Sequence, residues 1–123
     1  MTLRNVRDCE RLAEILKNAK NVAVIGGGWI GLEIAATARK QGKEVHIFEY
    51  GNRLCARSVS PEVSAFLKNM HEAQGTKIHL DSKSLHLVEA PDQKVEVVNH
   101  PQHSQLFDCV VVGAGAEIAK ELR

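Results

Sequence analysis

Residues 21–50, NVAVIGGGWIGLEIAATARKQGKEVHIFEY, restrict the fold more than any other part of the chain. The run NVAVI has adjacent apolar residues without alternation, which is typical of a strand covered on both faces of a parallel sheet. Residues 29–41 then repeat apolar side chains with helical period, Gly42 ends that pattern, and EVHIFE returns to a strand. A strand, a helix and a strand within about thirty residues predict a right-handed crossover between two parallel neighbours.

Three glycines, Gly26, Gly28 and Gly31, lie where the first strand meets the helix. We expect Gly26 to permit the tight turn, Gly28 to let the backbone approach a pyrophosphate, and Gly31 to let helix and strand pack closely. The N–H groups and the dipole at the start of the helix favour a bound phosphate. In this strand–turn–helix context the G-x-G-x-x-G spacing predicts a dinucleotide site, with a glycine turn that serves only tight packing as the alternative.

Glu49 lies eighteen residues after Gly31, at the end of the second strand. A carboxylate at this position accepts hydrogen bonds from the adenosine ribose hydroxyls and repels a 2′-phosphate. The sequence therefore predicts NAD(H) rather than NADP(H), with a solvated strand end as the alternative for Glu49. The later GAG at residues 113–115 is not a second fingerprint, because Ile118 takes the place of the third glycine. We expect this GAG either to border the same crevice or to form an ordinary turn.

The other segments predict the remaining layers. An apolar face over residues 6–19 predicts an N-terminal helix, and residues 60–75 predict a helix capped by Ser60, before a third strand in TKIHL. The segments SLHLVEA, QKVEVVN and SQLFD predict an antiparallel meander in place of a third crossover helix. CVVV then predicts a buried strand that returns to the parallel sheet. The predicted fold class is α/β, a Rossmann-like three-layer domain with a parallel sheet and an antiparallel β-meander.

Charge and hydropathy argue against several kinds of partner. Lys and Arg total 16 against 15 Asp and Glu, without a basic stripe, so no nucleic-acid partner is expected. The longest apolar runs are about five residues, against the ~20 that span a bilayer, and MTLRNVRDCE lacks the apolar core of a signal peptide. We therefore expect no membrane partner and a cytoplasmic location.

The cysteines and histidines predict no metal site. The three cysteines form no C-x-x-C pair, which argues against a disulfide framework. Cys55 lies beside Arg53 and Arg57, whose charges could lower the pKa of its thiol, but a redox role is not expected because the sequence shows no resolving partner. His100 and His103 have no further ligand at a suitable spacing. Three other histidines, at strand positions, are predicted to be partly exposed and to lack a catalytic companion: His46, His79 and His86.

Other classes of protein with a strand–glycine turn–helix unit fit less well. A short-chain dehydrogenase needs a Tyr-x-x-x-Lys pair, but the one tyrosine, Tyr50, has Leu54 at that distance. A methyltransferase commonly has an acid just before its glycine loop, where this chain has Ile25. A freestanding NAD-sensing domain fits the chain length and Glu49, although the predicted meander argues against it.

In chain order, IGGGWIGLEIAATARKQGKEVHIFE, RLCAR, PEVSAFL and VVVGAGAE resemble the NADH-binding domain of the pyridine nucleotide-disulfide oxidoreductase superfamily. The likeness is greatest to flavoprotein ferredoxin, rubredoxin and putidaredoxin reductases and covers essentially the whole chain. It implies that NADH passes a hydride to FAD, which delivers single electrons to an iron–sulfur partner.

The resemblance also implies ligand contacts. Three consecutive residues are implied at the pyrophosphate: Gly28, Trp29 and Ile30. Three are implied at the adenosine ribose: Glu49, Tyr50 and Arg57. Three are implied at the nicotinamide end, the first at the carboxamide and the others beside the ribose: Glu33, Val112 and Gly113. Without the resemblance, Glu33 is simply an acid in the first helical turn, favoured by the dipole, and Arg57 is equally a solvated loop charge.

The sequence departs from the family pattern in two respects. After GAGAE the family commonly continues with Pro-Asn, whereas this chain has Ile118 and Ala119. The chain also carries no FAD fingerprint, and cofactors supply this redox chemistry. We therefore expect residues 1–123 to be an NAD(H)-binding domain, without the FAD-binding and C-terminal interface domains, that binds NADH and reduces nothing alone. The alternative is a stand-alone NAD(H)-sensing or interaction domain without catalysis.

Overall fold

The computed structural model describes residues 14, 16–83, 85–91, 94–99, 103–112 and 117–120. The elements within these residues are, in chain order, β1 (Asn21–Ile25), α1 (Trp29–Lys40), β2 (Glu44–Phe48), α2 (Pro61–Ala73), β3 (Lys77–His79), β4 (Leu85–Ala90), β5 (Lys94–Asn99), β6 (His103–Phe107), β7 (Cys109–Val112) and β8 (Glu117–Lys120). Residues 14 and 16–18 are also helical, in agreement with the N-terminal helix predicted over residues 6–19. Ala19 follows the helical segment, and the remaining residues of the predicted range, 6–13 and 15, lie outside the described residues.

The main sheet has the order β3-β2-β1-β7-β8, with β1 at its centre. β1 pairs in parallel with β2 and β7, so that Val24 lies between Ile47 and Val111. β2 also pairs in parallel with β3, whereas β8 is antiparallel to β7. The predicted parallel crossover is confirmed. β8 was not predicted, because its four residues, EIAK, have no strand-like pattern.

Alternating side chains of the central strands build two cores on opposite faces of the sheet. Val22 and Val24 of β1 face the helical layer, where Leu32 and Ala35 of α1 pack against them. Ala23 faces the other way, into a core with Phe107 and the second sheet. That second sheet has the order β4-β5-β6 and is antiparallel throughout. The predicted meander and the three-layer α/β fold are therefore confirmed.

Both helices end as the sequence predicts. α1 ends at Lys40, and Gly42 follows with φ +77°. α2 begins after Ser60, whose side chain accepts a hydrogen bond from the Val63 N–H at 3.3 Å, and Gly75 follows its end with φ +99°. Neither helix, nor any other in the described part of the chain, is long and apolar enough to cross a bilayer.

His46 differs from the sequence prediction. It was expected to be partly exposed, but it is only 2% exposed, because its position on β2 faces the core beneath the meander. Its Nδ1 lies 2.9 Å from His79 Nε2, and its Nε2 lies 2.9 Å from Glu44 Oε2. The ring is also in edge contact with Phe107. His79 is half-buried and His86 is exposed, as predicted.

Candidate nucleotide-binding site

The glycine turn has the geometry that its spacing predicts. Gly26 has φ +109°, a conformation that favours glycine, and its N–H donates to the Phe48 carbonyl at 2.8 Å. A Cβ on Gly31 would lie 2.2 Å from the Gly26 carbonyl oxygen, so close packing of α1 on β1 requires glycine there. A Cβ on Gly28 would meet nothing within 4 Å, so this part of the turn opens to solvent. A phosphate can approach the backbone at Gly28.

The start of α1 supplies donors beside that opening. Gly28 is the N-cap and provides no side-chain hydrogen bond to the helix. The first N–H groups of a helix lack partners within the helix, and the helix dipole favours negative charge there. Trp29 and Ile30 form the first turn and are 47% and 42% exposed. The arrangement therefore suits an anionic group with an apolar group beside it.

Glu49 reaches back from the end of β2 to the same turn. Its Oε1 accepts a hydrogen bond from the Gly27 N–H at 2.7 Å, and its Oε2 accepts one from the Gly51 N–H at 2.6 Å. Backbone donors from two segments thus fix the orientation of the carboxylate. Because a carboxylate has about four lone-pair sites, acceptor capacity is left for ribose hydroxyls.

Gly27 is a site residue that the sequence analysis missed. A Cβ at this position would lie 2.5 Å from Leu54 Cδ2 and 3.2 Å from Glu49 Oε1. A side chain at this position would therefore displace the buried Leu54 side chain and crowd the Glu49 carboxylate. The run of three glycines was the available signal, since the fingerprint accounts for only the first and third of them.

The residues implied at the adenosine side are accessible. Tyr50 is 67% exposed and directly follows Glu49, and Lys83 Nζ lies 5.9 Å from the centroid of its ring. Arg57 is exposed on the loop between β2 and α2. Tyr50 and Arg57 therefore lie at the surface rather than in the core.

The nicotinamide-side residues occupy two different elements. Glu33 is exposed but is the fifth residue of α1, and the first turn contains no acid. The prediction that Glu33 lies in the first turn is therefore wrong, and the helix dipole does not explain it, because the dipole effect is confined to that turn. Val112 is the last residue of β7 and pairs with Ile25. Gly113 lies outside the described residues.

Cys55 is not an activated thiol. It is 6% exposed, and burial, together with the charge of Glu49, raises the pKa of its thiol. The predicted lowering by Arg53 and Arg57 is wrong, because burial and the Glu49 charge decide the direction of the pKa shift; the Arg53 guanidinium donates to loop carbonyls and Arg57 is exposed. The second described free cysteine, Cys109, is fully buried in β7 and packs in the core, as expected.

The site residues share one edge of the sheet. The glycine turn follows β1, Glu49 follows β2, and Val112 ends β7, and these three strands are adjacent and parallel. Ligands of open parallel sheets bind at this carboxyl edge. In the described ranges, no three His, Cys, Asp or Glu residues are placed to share a metal ion. The donors, the opening at Gly28 and the oriented carboxylate fit a dinucleotide.

Comparison with known proteins identifies the family of the chain. Residues 1–123 match the family described as pyridine nucleotide-disulphide oxidoreductase. The chain is 31% identical to the ferredoxin–NAD(+) reductase component of 3-phenylpropionate/cinnamic acid dioxygenase from Photorhabdus laumondii, over 98% of this chain and 30% of that protein. The chain thus spans less than a third of that relative's length.

Solved structures of reductases have the same fold. The ferredoxin reductase of the CYP199A2 system from Rhodopseudomonas palustris is 38% identical, with a TM-score of 0.80 over 92% of this chain and 28% of that one. Putidaredoxin reductase, in its covalent complex with putidaredoxin, is 34% identical, with a TM-score of 0.80 over 90% of this chain and 27% of that one. The chain therefore belongs to the pyridine nucleotide-disulphide oxidoreductase family, which depends on flavin and pyridine nucleotide.

Proposed function

We propose that residues 1–123 form the NAD(H)-binding domain of an FAD-dependent oxidoreductase similar to ferredoxin and rubredoxin reductases. Its role is to position nicotinamide for hydride transfer to a flavin bound outside this chain. The observation that carries the proposal is the open turn at Gly28 directly beside the oriented carboxylate of Glu49. The NAD(+) in the name of the Photorhabdus laumondii relative supports the choice of nucleotide.

The pyrophosphate binds at the start of α1 in this proposal. Gly28 leaves room for it, and the backbone N–H groups of Trp29 and Ile30 donate to its oxygens. Gly26 and Gly31 act indirectly, by shaping the turn and by bringing the helix close to the sheet. Their contribution is to place the donors before the ligand arrives, which lowers the entropic cost of binding.

The adenosine ribose binds at Glu49, with Tyr50 and Arg57 alongside. Because both Glu49 oxygens are held by backbone N–H groups, the carboxylate cannot turn away cheaply to admit a 2′-phosphate. A phosphate beside a fixed carboxylate is repelled at short range. We infer a preference for NADH over NADPH.

At the nicotinamide end, Glu33 binds the carboxamide, and Val112 and Gly113 border the ribose. The nicotinamide and the flavin supply the redox chemistry when bound, and the residues of this chain bind and orient. The ferredoxin and putidaredoxin in the names of the related reductases support an iron–sulfur electron acceptor as a partner, and the flavin dependence of the family supports an FAD-binding domain. A cytoplasmic location stays a prediction from the sequence.

The test is a titration of the chain with NADH, with NADPH as competitor. Trp29 is the only tryptophan and lies beside the turn, so its fluorescence reports binding. We expect saturable NADH binding that NADPH displaces poorly. Glu49→Gln should raise the NADH Kd by about tenfold or more, the effect of losing a charge-assisted hydrogen bond worth about 1.5–3 kcal/mol.

Glu62→Gln is the matched control, because Glu62 is an exposed acid in the first turn of α2. It should leave the NADH Kd unchanged. Equal affinities for NADH and NADPH would contradict the role of Glu49. Failure of the chain to bind either nucleotide into the millimolar range would instead favour the interaction-domain alternative.

A further inference from the structure

Arg53 closes the loop between β2 and α2. Its Nη1 donates to the Val59 carbonyl at 2.7 Å and to Ser64 Oγ at 3.1 Å, and its Nη2 donates to the Ala56 carbonyl at 3.1 Å. Ser64, on α2, is 2% exposed and donates in turn to the Leu54 carbonyl at 2.5 Å. One planar guanidinium and one buried hydroxyl therefore tie three carbonyls of the loop to each other and to α2.

The same loop is attached to the glycine turn. The Cys55 N–H donates to the Gly27 carbonyl at 2.9 Å, and the Leu54 side chain, 1% exposed, packs where a Gly27 side chain would be. Cys55 has φ +50°, in the left-handed region that is costly for a residue with a side chain. Such a conformation persists only where its surroundings hold it, and here the Val59 N–H donates to the Cys55 carbonyl at 3.1 Å.

Arg57 is carried by this closed loop. It follows Ala56, whose carbonyl Arg53 binds, and precedes Ser58, whose N–H donates to the Cys55 carbonyl at 2.9 Å. Its side chain is exposed, whereas the Arg53 side chain is half-buried. The two arginines thus differ in environment, since Arg53 binds loop carbonyls and Arg57 is exposed to solvent.

We propose that Arg53 is a positioning residue for the nucleotide, which fixes the loop of residues 54–59 on Gly27 so that Arg57 is presented at the edge where Glu49 lies. This inference rests on the proposed function and extends it to a residue that touches no ligand. Lysine cannot replace Arg53, because a single ammonium on a flexible chain does not reproduce the planar fork that reaches two carbonyls and a hydroxyl.

The test is a double-mutant cycle on the NADH Kd, followed by Trp29 fluorescence. We expect Arg53→Lys and Arg57→Ala each to raise the Kd by about three- to tenfold. If Arg53 acts through Arg57, Arg53→Lys should add less than about twofold in the Arg57→Ala chain. The inference would be overturned if the double variant raised the Kd by the product of the two single fold-changes. It would also be overturned if Arg53→Lys alone left the Kd unchanged.

Arg39→Lys is the control for a purely structural effect. Arg39 also binds two carbonyls, those of Gln74 at 2.8 Å and Lys43 at 2.7 Å, but it lies in the last turn of α1, away from the glycine turn. It should leave the NADH Kd unchanged even if it lowers the melting temperature. An equal loss of NADH affinity in Arg39→Lys would mean that general destabilisation, and not positioning, weakens binding.

Amide hydrogen exchange of the free chain tests the loop without nucleotide. Arg53→Lys should speed exchange at Cys55 by about tenfold or more, while Leu32 in α1 stays protected. Unchanged exchange at Cys55 would overturn the inference whether or not NADH binds. If the unaltered chain does not bind NADH, the proposed function fails and the nucleotide role of Arg53 fails with it, even where the exchange result is as expected.

Discussion

Two glycines of one turn serve folding and ligand access separately. A methyl group on Gly31 would lie 2.2 Å from a backbone oxygen of Gly26, which cannot move without displacing β1 or α1. A methyl group on Gly28 would meet nothing within 4 Å, and Gly28 has φ −86°, which alanine adopts readily. The same substitution at the two positions should therefore have different consequences.

We expect Gly31→Ala to lower the free energy of unfolding by about 2–3 kcal/mol, the usual cost of overpacking. Gly28→Ala should lower the free energy of unfolding by less than about 1 kcal/mol, because alanine is a poorer N-cap than glycine. It should nevertheless weaken NADH binding by about tenfold, because its methyl group occupies the approach to the backbone. Urea unfolding and an NADH titration of both chains measure these effects. A large loss of unfolding free energy in Gly28→Ala, with none in Gly31→Ala, would contradict these separate roles of the two glycines.

Within α2, His71 gives the helix a pH-dependent stability. The residue is 4% exposed, and burial lowers the pKa of its imidazole. Its Nδ1 has no hydrogen-bond partner among the residues that the structure describes. The folded state therefore takes up the proton at a lower pH than the unfolded chain, whose histidines titrate near about 6.5.

Because the folded pKa lies below the unfolded value, the contribution of His71 to stability is complete above about pH 6.5 and is lost as the pH falls from there toward the folded pKa. We expect His71→Leu to flatten the decline of unfolding free energy between pH 7 and pH 5, measured by urea unfolding at each pH. His86→Gln, at an exposed position of β4, is the control and should keep the original slope. An unchanged slope in His71→Leu would refute this assignment.

At the scale of the whole molecule, Asp108 joins the two sheets. It lies between β6 and β7, and its Oδ2 accepts a hydrogen bond from the Lys20 N–H at 2.8 Å, just before β1. Its Oδ1 lies 3.2 Å from Lys94 Nζ, on β5, and its own N–H donates to Asn21 Oδ1 at 3.0 Å. The meander is thus attached to the start of the central strand by one buried carboxylate.

Burial raises the pKa of the Asp108 carboxyl. Hydrogen bonds to the carboxylate from the backbone of Lys20, from the Lys94 side chain and from the backbone of Asn21 outweigh burial and hold this pKa below its usual value. The stabilisation is therefore present above the unfolded pKa of about 3.9 and is lost as the pH falls through the folded pKa. We expect Asp108→Asn to lower the unfolding free energy at pH 7 by about 1.5–3 kcal/mol. The stability difference from the unaltered chain should shrink below about pH 4.

Asp81→Asn is the control, because Asp81 is exposed and has φ +55°, a conformation that asparagine also tolerates. Its unfolding free energy should stay within about 0.5 kcal/mol of the original at pH 7. If Asp108→Asn has the same free energy of unfolding as the unaltered chain at pH 7, the carboxylate does not hold the meander to the sheet.

Short-range patterns sufficed for most of the architecture. The apolar run before Gly26, the helical period after it and the turn signals around the meander each depend on neighbours along the chain. The helices end just before Gly42 and Gly75, because each of these glycines adopts the positive φ that stops a helix. These features were therefore predictable, and so was the alignment of the glycine turn with Glu49, because parallel strands bring their carboxyl ends to one edge.

Contacts between distant segments decided the rest. The bond from Gly27 to Glu49, the burial of His46 beneath the meander and the closure of the loop by Arg53 join residues whose spacing along the chain carries no periodic signal. The pKa of Cys55 likewise follows from which groups surround it rather than from its sequence neighbours. The elements and the location of the candidate site were predictable because both depend on local periodicity and on strand direction. The backbone donors that hold the carboxylate and the side chains that support the turn could be found only in the folded chain, because those contacts depend on how separate segments pack.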